Sequence, residues 1–154
     1  MTERTASISD INTLTELRIA YLREDNGGLA PEAEAQIRKN LPDYFRRRLG
    51  KELIAYLAEE NGEAVSCCFL LITEKPAGPR FPGGMTGTVL NVYTKPGYRR
   101  HGIAGSLMKR LLEKASELRL DCLELKAVRS AVKLYKSLGF EESFSKYTDM
   151  KYDF

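Results

Sequence analysis

The stretch "NVYTKPGYRRHGIAGSLMKRLLEKA", residues 91–115, joins a β-rich run to an amphipathic helix through a turn and a basic, glycine-containing segment. A helix that begins here has backbone N–H groups without intrahelical partners in its first turn, together with a partial positive charge. Within "RRHGIAGS", residues 99–106, small residues let an anion reach the backbone, and basic residues stand beside them. The stretch therefore predicts a phosphate-binding loop between a strand and a helix.

Two common kinds of nucleotide-binding loop do not fit this stretch. A Walker loop needs a Gly-Lys-Ser/Thr ending, and a dinucleotide-binding fingerprint needs G-x-G-x-x-G soon after an early strand. Neither pattern occurs in the sequence. Nucleoside triphosphates and NAD are therefore disfavoured as the phosphate-bearing ligand.

Before this stretch, the sequence pattern predicts two helices, a hairpin and a strand. Apolar residues recur at helical spacing from Ile8 to Glu24, and a second helix is expected from Pro31 to Gly50, ended or kinked by Pro42. Asn61-Gly62 separates two β-compatible runs and predicts a tight hairpin. A loop rich in proline and glycine, "EKPAGPRFPGG", then leads into the strand "GTVLNVYT".

After the stretch, the pattern alternates again between strand and helix. "DCLELKA" predicts a short strand, "SAVKLYKSLGF" a short helix that ends at Gly139, and "SFSKYTDMKYDF" one or two closing strands. A strand, a helix and a further strand in this order are typical of parallel neighbours joined by a right-handed crossover. The sequence therefore predicts a mixed α/β fold.

The overall charge gives little support to nucleic-acid binding. The 154 residues include 24 basic and 21 acidic side chains, a formal charge of +3, which is a mild excess. The cluster "RRR" at 46–48 lies at a predicted helix end, where basic residues favour the helix dipole and stay solvated. The alternative, a basic nucleic-acid binder built on this cluster, predicts salt-dependent oligonucleotide binding.

Cysteine usage and the amino terminus indicate a cytoplasmic protein. Cys67 and Cys68 are adjacent and Cys122 stands alone, which fits neither a disulfide framework nor a zinc site. We interpret all three as small buried apolar residues, and we expect no metal. The start, "MTERTASISD", lacks the apolar core of a signal peptide, and "AVSCCFLLI" is too short to span a bilayer.

Two segments together resemble the GCN5-related N-acetyltransferase (GNAT) superfamily. Residues 99–104, "RRHGIA", match the family pattern [Q/R]-x-x-G-x-[G/A] between a strand and a helix, and "KLYKSLGF", residues 133–140, resembles the recurrent "LYxxxGF". The resemblance implies one acetyltransferase domain over residues 1–154. It also implies an α/β fold (α+β by some schemes), with a mixed sheet of about six to seven strands, splayed between the fourth and fifth and flanked by about four helices.

The same resemblance implies that the protein binds acetyl-CoA as its co-substrate. The pyrophosphate would be held by backbone N–H groups at the loop and helix start, namely those of Arg99, Arg100, His101, Gly102, Ile103, Ala104, Gly105 and Ser106. Val92, Tyr93 and Thr94 would run beside the pantetheine arm, and one of their N–H groups would polarise the thioester carbonyl. We expect no chemistry from the His101 side chain.

For catalysis, the resemblance singles out Tyr135 as the proton donor to the departing thiolate. A phenol of pKa about 10 and a thiol of pKa about 8.5 are close enough for transfer. Two positions depart from the family. Val128 stands where many relatives carry an asparagine that contacts the coenzyme, and "TVLNVYT" lacks the carboxylate that some relatives use as the general base. Deprotonation would then go through water ordered by Asn91 or Tyr93, or the amine would arrive neutral.

The acceptor is the least defined part of the prediction. The expected reaction is transfer of the acetyl group to a primary amine of a small molecule or peptide, by direct attack in a ternary complex. Glu24 and Asp25 follow the first helix and would attract a cationic amine, although a solvated helix end explains them equally well. A non-catalytic acyl-CoA sensor on the same fold is the alternative function, and the family's habit makes a homodimer an expected assembly.

Overall fold

The computed structural model describes residues 1–154 as a five-stranded sheet covered by helices on both faces. The elements are β1 (Thr2–Thr5), α1 (Ile11–Asp25), α2 (Pro31–Arg48), β2 (Leu53–Glu60), β3 (Glu63–Glu74), β4 (Met85–Thr94), α3 (Ile103–Glu117), β5 (Cys122–Glu124) and α4 (Val132–Ser137). The mixed α/β class and the four helices agree with the prediction. No helix combines the length and hydropathy that crossing a membrane requires.

The strands lie in the order β1-β2-β3-β4-β5, so each strand pairs with its sequence neighbour. The first four strands are antiparallel, and β5 joins β4 in parallel after the α3 crossover. β4 and β5 pair over only three residues, from Thr86↔Cys122 to Thr88↔Glu124. β4 then continues to Thr94 without a partner on that side, so the sheet is open between its fourth and fifth strands, as expected.

Two parts of the strand prediction are wrong. The sheet has five strands rather than six to seven, and the closing strands expected in "SFSKYTDMKYDF" are absent, because residues 141–154 are irregular and exposed. A first strand, β1, was not expected. Its sequence, "TERT", has no apolar alternation, and it forms because its backbone pairs with β2, from Thr2↔Glu59 to Thr5↔Tyr56.

Each face of the sheet has its own hydrophobic core. On one face α1 and α2 contribute side chains such as Leu14, Leu17 and Phe45, which pack against strand residues such as Leu57 and Phe69. On the other face the core consists mainly of residues from the strands, α3 and α4, among them Val65, Leu70, Val89, Leu107, Met108, Leu111 and Tyr135. The open end of the sheet therefore lies between two rigid layers.

Turn chemistry explains several boundaries. Asn61 and Gly62 both have positive φ, 52° and 79°, so the predicted hairpin between β2 and β3 is confirmed. Gly139 follows α4 with φ 96°, as expected of a left-handed helix end. α2 continues through Pro42 to Arg48, so the proline does not end that helix.

Candidate functional site

The candidate site lies at the open edge of β4. Pairing with β5 stops at Thr88, and the next six residues of β4 have no strand beside them on that side. Lys95 N–H donates to Val65 O on the β3 side, at 2.9 Å. Because successive residues of a strand point their N–H groups to opposite sides, those of Thr94 and Val92 face the opening. An extended ligand can therefore add to β4 as a further strand would.

A β-bulge reshapes β4 just before Val92. Asn91 has φ 51°, and the pairing with β3 shifts between Cys67 and Phe69. The buried Asn91 side chain is held from two sides, since its Oδ1 accepts from Arg18 Nη1 at 3.1 Å and its Nδ2 donates to Cys67 Sγ at 3.3 Å. Bulges re-aim neighbouring backbone groups and are frequent beside active sites. Here the bulge sets the direction of the Val92 N–H.

The loop before α3 presents a run of unpaired backbone N–H groups. Arg100 and Gly102 have positive φ, 64° and 79°, and no backbone hydrogen bond is donated by Arg100, His101 or Gly102. The first helical bond of α3 runs from Ser106 N to Gly102 O at 3.0 Å, which leaves Ile103, Ala104 and Gly105 N–H free as well. Successive free N–H groups around left-handed residues form an anion-binding concavity. Six such groups fit a pyrophosphate. The N–H groups of Arg99 and Ser106, which the prediction also includes, donate instead to Pro96 O and Gly102 O.

The Arg99 side chain points back to the protein rather than to this loop. Its Nε donates to Thr94 O at 2.8 Å, and its Nη2 lies 2.6 Å from Glu24 Oε2. Its guanidinium also stacks over the Tyr93 ring, 5.8 Å from the ring centroid. Arg99 therefore fixes the end of β4 to the end of α1. Arg100 and His101 are the exposed basic side chains beside the free N–H groups.

Tyr135 lies on the other side of the opening, on α4. Close packing brings α4 to α3, since a Cβ at Gly105 would lie 3.4 Å from Leu134 Cδ1. Tyr135 is 8% exposed, and its ring meets the Phe140 ring edge-on with the ring centroids 5.9 Å apart. Every buried side-chain oxygen in the structure has a hydrogen-bond partner, whereas the Tyr135 hydroxyl has none. The hydroxyl therefore reaches the surface. Burial, with smaller effects from Cys68 and Tyr21, raises the pKa of Tyr135 to about 12.

The remaining predicted residues are distributed around this opening. Tyr93 is buried on the α1 side of the sheet, and its carbonyl accepts from Ser66 Oγ at 2.9 Å. Glu24 is paired with Arg99, whereas Asp25 is exposed and makes no ion pair or hydrogen bond. Val128 is 57% exposed and precedes the turn into α4. Of the two carboxylates predicted to attract a cationic amine, only Asp25 is therefore not paired with an arginine.

Two residues of the site were not found by sequence reasoning. Arg18 holds the bulge at Asn91, but it is one arginine in an amphipathic helix and carries no local signal. Cys67 is buried, as expected of a small apolar residue, and burial raises the pKa of its thiol to about 12. Its contact with Asn91 was not foreseen, because it depends on the register between β3 and β4. A neutral thiol here supports the bulge without acting as a nucleophile.

Comparison with a family profile and with solved structures agrees with this geometry. The profile described as "Acetyltransferase (GNAT) domain" matches residues 54–142, more than half of the chain. Searching functionally curated proteins gave no significant match. A predicted acetyltransferase from Clostridium acetobutylicum, crystallised with acetyl-CoA, is 26% identical, with a TM-score of 0.86 over 97% of this chain and 95% of that one.

Two further solved structures share the fold. A GCN5-related N-acetyltransferase from Ralstonia eutropha is 24% identical with a TM-score of 0.82, over 97% of both chains. A ribosomal-protein-alanine N-acetyltransferase from Brucella melitensis is 21% identical with a TM-score of 0.69, over 98% of this chain and 100% of that one. The profile match, the loop before α3 and the opening beside β4 lead to one assignment: the chain belongs to the GNAT acetyltransferase family.

Proposed function

We propose that the protein transfers the acetyl group of acetyl-CoA to a primary amine of a small molecule or peptide, by direct attack in a ternary complex. The observation that carries the proposal is the run of six free N–H groups from Arg100 to Gly105, next to an unpaired edge of β4. The run of free N–H groups suits a pyrophosphate, and the unpaired edge of β4 suits an extended arm that contains amides. Acetyl-CoA contains both, and when bound it supplies the activated acetyl thioester.

The backbone of β4 provides the electrostatic part of catalysis. Val92 N–H faces the opening directly after the bulge and has no strand partner there. Amine attack on a thioester builds negative charge on the carbonyl oxygen, and a fixed N–H donor stabilises that charge increasingly as it forms. Arg18 and Cys67 hold Asn91 rigidly, so the donor is positioned before the substrate arrives. Asn91 thus acts by positioning the backbone.

Tyr135 completes the proposed site as the group that meets the leaving sulfur. With a pKa of about 12, the phenol is protonated throughout the neutral range. Full transfer of its proton to a thiolate of pKa about 8.5 is uphill by roughly 5 kcal/mol, so its first contribution is a hydrogen bond to the sulfur. After the amine attacks, the nitrogen of the new C–N bond is positively charged. It loses one proton as the C–S bond breaks, and the departing thiolate gains one proton, so the products are an amide and a thiol.

We assign to solvent the removal of the proton that converts the acceptor ammonium into the neutral amine before attack. β4 carries no carboxylate, and both polar atoms of the Asn91 amide are already engaged. Tyr93, which lies beside the Arg99 guanidinium, is therefore the residue assigned to order a water. The acceptor amine is therefore expected to react in its neutral form, and the rate is expected to rise with pH through the pKa of that amine.

A thiol-release assay against a broad panel of amines, with acetyl-CoA as donor, tests this function. We expect release above the hydrolysis background with at least one primary amine, and an acetylated product confirmed by mass spectrometry. If no amine releases thiol while acetyl-CoA still raises the melting temperature, the protein is a coenzyme-binding sensor and the catalytic proposal is wrong.

A further inference from the structure

A pocket of about 250 Å³ lies on the α1–α2 face of the sheet, beside the bulge of β4. Its lining is apolar except for one guanidinium and one phenol: Arg18, Leu41, Tyr44, Phe45, Phe69 and Leu90. Leu90 directly precedes Asn91, and Arg18 is hydrogen-bonded to Asn91. The pocket is therefore joined to the bulge that aims the Val92 N–H, on the side of the sheet opposite α4.

Arg18 enters this pocket without an acidic partner. Seven other arginines have a carboxylate within 4.0 Å, namely Arg4, Arg23, Arg38, Arg46, Arg47, Arg48 and Arg99. Arg18 is partly buried and has no carboxylate partner. Its guanidinium donates to Asn91 Oδ1 and lies over the Tyr21 ring, 5.5 Å from the ring centroid. A guanidinium presents several donors in a fork that matches a carboxylate. Its remaining donors are available to a ligand.

The electrostatic surroundings of the pocket also favour an anion. Burial raises the pKa of Tyr44, and Arg48, Arg18 and Arg47 oppose this rise, while Glu52 adds to it. Glu52 is itself 3.2 Å from Arg48. No acidic residue lines the pocket. Cationic acceptors such as polyamines gain nothing from these charges, whereas an acceptor with a carboxylate does.

We infer that the acceptor is a small primary amine that carries a carboxylate and an apolar side chain, as apolar amino acids do, with its carboxylate on Arg18. This inference rests on the proposed function and names its substrate class. The apolar side chain would occupy the space between Leu41, Phe45 and Phe69. The amine would then lie towards the bulge, because Arg18 spans the distance from the pocket to Asn91.

The test compares phenylalanine and leucine with their amides and with spermidine, as acceptors for the wild-type protein and for Arg18→Gln. We expect kcat/KM at least about tenfold higher for each acid than for its amide, and a ratio near one in Arg18→Gln. Because a disturbed Asn91 would lower kcat/KM for acid and amide alike, the acid-to-amide ratio is insensitive to that loss of activity. The matched control is Arg38→Gln, which removes a positive charge from α2 outside the pocket and should keep the wild-type ratio.

Calorimetry of phenylalanine binding separates this inference from the proposed function. If no amine releases thiol, the function is wrong, but binding of phenylalanine in preference to its amide still supports the Arg18 pocket. The inference is overturned if spermidine or the amides are the better acceptors, if the acid-to-amide ratio survives in Arg18→Gln, or if phenylalanine and its amide bind equally or not at all.

A second, independent observation concerns the carboxyl-terminal segment. Its five large apolar residues, Phe144, Tyr147, Met150, Tyr152 and Phe154, are all exposed, and the least exposed of them is 74% exposed. No backbone hydrogen bond ties residues 141–154 to the rest of the chain, and the only side-chain link is Lys136 to Glu142 at 2.9 Å. From Asp149 to Phe154, charged and apolar residues alternate with the period of a strand. The segment therefore has the residue pattern of a β-strand but pairs with no strand of the sheet.

The sheet has an edge that fits such a strand. β5 is the last strand, and nothing pairs with its outer side. Next to it lies an open groove of about 330 Å³, lined by four apolar residues, Leu112, Leu123, Leu138 and Phe140, together with Gly139 and Glu141. Leu123 faces this groove and packs on the α3 side, so Cys122 and Glu124 face the other side of the sheet. An unpaired strand edge is a template for strand addition, and the four apolar residues beside it can cover the apolar side chains of an added strand.

We propose that residues 147–154 of one copy pair with β5 of a second copy, with Met150, Tyr152 and Phe154 in the groove. Aromatic side chains bury roughly 150–250 Å² each, so Tyr152 and Phe154 of two exchanged tails would bury on the order of 600–1,000 Å². The surfaces that cover them would lose a similar area, and the two together reach the size of a stable interface. The exchange of identical segments is a low-cost route to a dimer, and here the segment already lies off its own body.

Cysteine cross-linking to Cys122 tests the exchange and identifies the partner. Residues 149 and 151 should face the Cys122 side of the sheet, so Asp149→Cys or Lys151→Cys should give a covalent dimer of two 17.4 kDa chains on a non-reducing gel. Met150→Cys, which faces the groove, is the matched control. Cys67 and Cys68 are fully buried and do not compete.

Light scattering complements the gel. The double variant Met150→Asp/Tyr152→Asp should be monomeric while the wild type and Asp149→Asn are dimeric. A cross-link formed within one chain would show that the tail folds onto its own β5, and a wild-type protein that is monomeric without any cross-link would show no pairing. Either result overturns the proposal.

Discussion

Arg99 Nη2 lies 2.6 Å from Glu24 Oε2, and this ion pair joins the loop that follows β4 to the end of α1. Arg99 also donates to Thr94 O at 2.8 Å, so the same guanidinium fixes the last residue of β4. The two halves of the proposed site, the coenzyme loop and the acceptor-side helix, are therefore connected by one side chain.

Breaking this connection should weaken coenzyme binding more than it lowers stability. Both side chains are substantially exposed, at 40% and 51%. In Glu24→Gln we expect a loss of stability below about 1 kcal/mol and a two- to fivefold rise, roughly, in the Kd for acetyl-CoA, measured by calorimetry. Asp25→Asn is the matched control, because Asp25 makes no ion pair. Equal effects of the two substitutions would contradict a specific role for the pair.

The conformation of the loop depends on Gly102. Its φ of 79° is costly for any residue with a Cβ, by roughly 1–2 kcal/mol, although there is open space around it. In Gly102→Ala an exposed loop should relieve this strain by turning its N–H groups, and the Kd for acetyl-CoA should rise about tenfold. Gly97→Ala, also in open space but without a positive φ, should bind normally. Normal binding of acetyl-CoA by Gly102→Ala would show that the coenzyme does not depend on the anion-binding concavity of this loop.

Removal of the Tyr135 hydroxyl should affect turnover and leave binding intact. The ring packs against Phe140, and Phe preserves that contact, so Tyr135→Phe should fold normally. We expect kcat to fall roughly 10- to 100-fold with an unchanged Kd for acetyl-CoA. Tyr147→Phe, an exposed tyrosine far along the tail, is the control. Full activity of Tyr135→Phe would remove the residue from the mechanism.

The raised pKa of Tyr135 also has a consequence for the pH profile. Because the hydroxyl keeps its proton up to about pH 12, its ionisation should cause no loss of kcat/KM between about pH 7 and 10. The rate should instead rise with the neutral fraction of the acceptor amine and then level off. A fall in kcat/KM in that range that disappears in Tyr135→Phe would show that the tyrosine ionises earlier.

Acid stability should depend on Asp10. Arg4 binds both Asp10 oxygens at 2.8 Å and, helped by the Ser7 N–H, lowers the pKa of that carboxyl from 3.8 to about 2. A pKa lowered by folding stabilises the protein above the unfolded value, and this contribution, about 2 kcal/mol, is lost as the pH falls from about 4 to 2. Urea unfolding at several pH values should show the decline in the wild type and a weaker one in Asp10→Asn.

Some of this architecture is readable from the sequence because it depends on local chemistry. The segment "RRHGIAGS" predicts its own loop, since glycine and a helix start leave N–H groups free wherever they occur. Asn61-Gly62 likewise predicts its hairpin. The bulge at Asn91 and the contact of Arg18 with it are different, because both depend on how β3 and α1 are placed against β4. No neighbouring residue signals such a register.

The strand errors have a related cause. β1 has no apolar alternation, and its position follows from pairing with β2 and from Arg4, which bridges Asp10 and Glu59. The carboxyl-terminal segment shows the opposite, since its charged and apolar residues alternate as in a strand, yet it pairs with no other strand. Periodicity reports which face of a strand is to be buried, and it does not report whether a sheet edge is available.

An NMR titration of backbone amides tests whether the loop before α3 and the edge of β4 hold acetyl-CoA. On addition of acetyl-CoA we predict large shifts and slowed exchange for the N–H groups of Arg100 to Gly105, Val92 and Thr94, with little change at residues 141–154. Binding that leaves the amides of Arg100 to Gly105 unshifted would show that this loop does not hold the coenzyme.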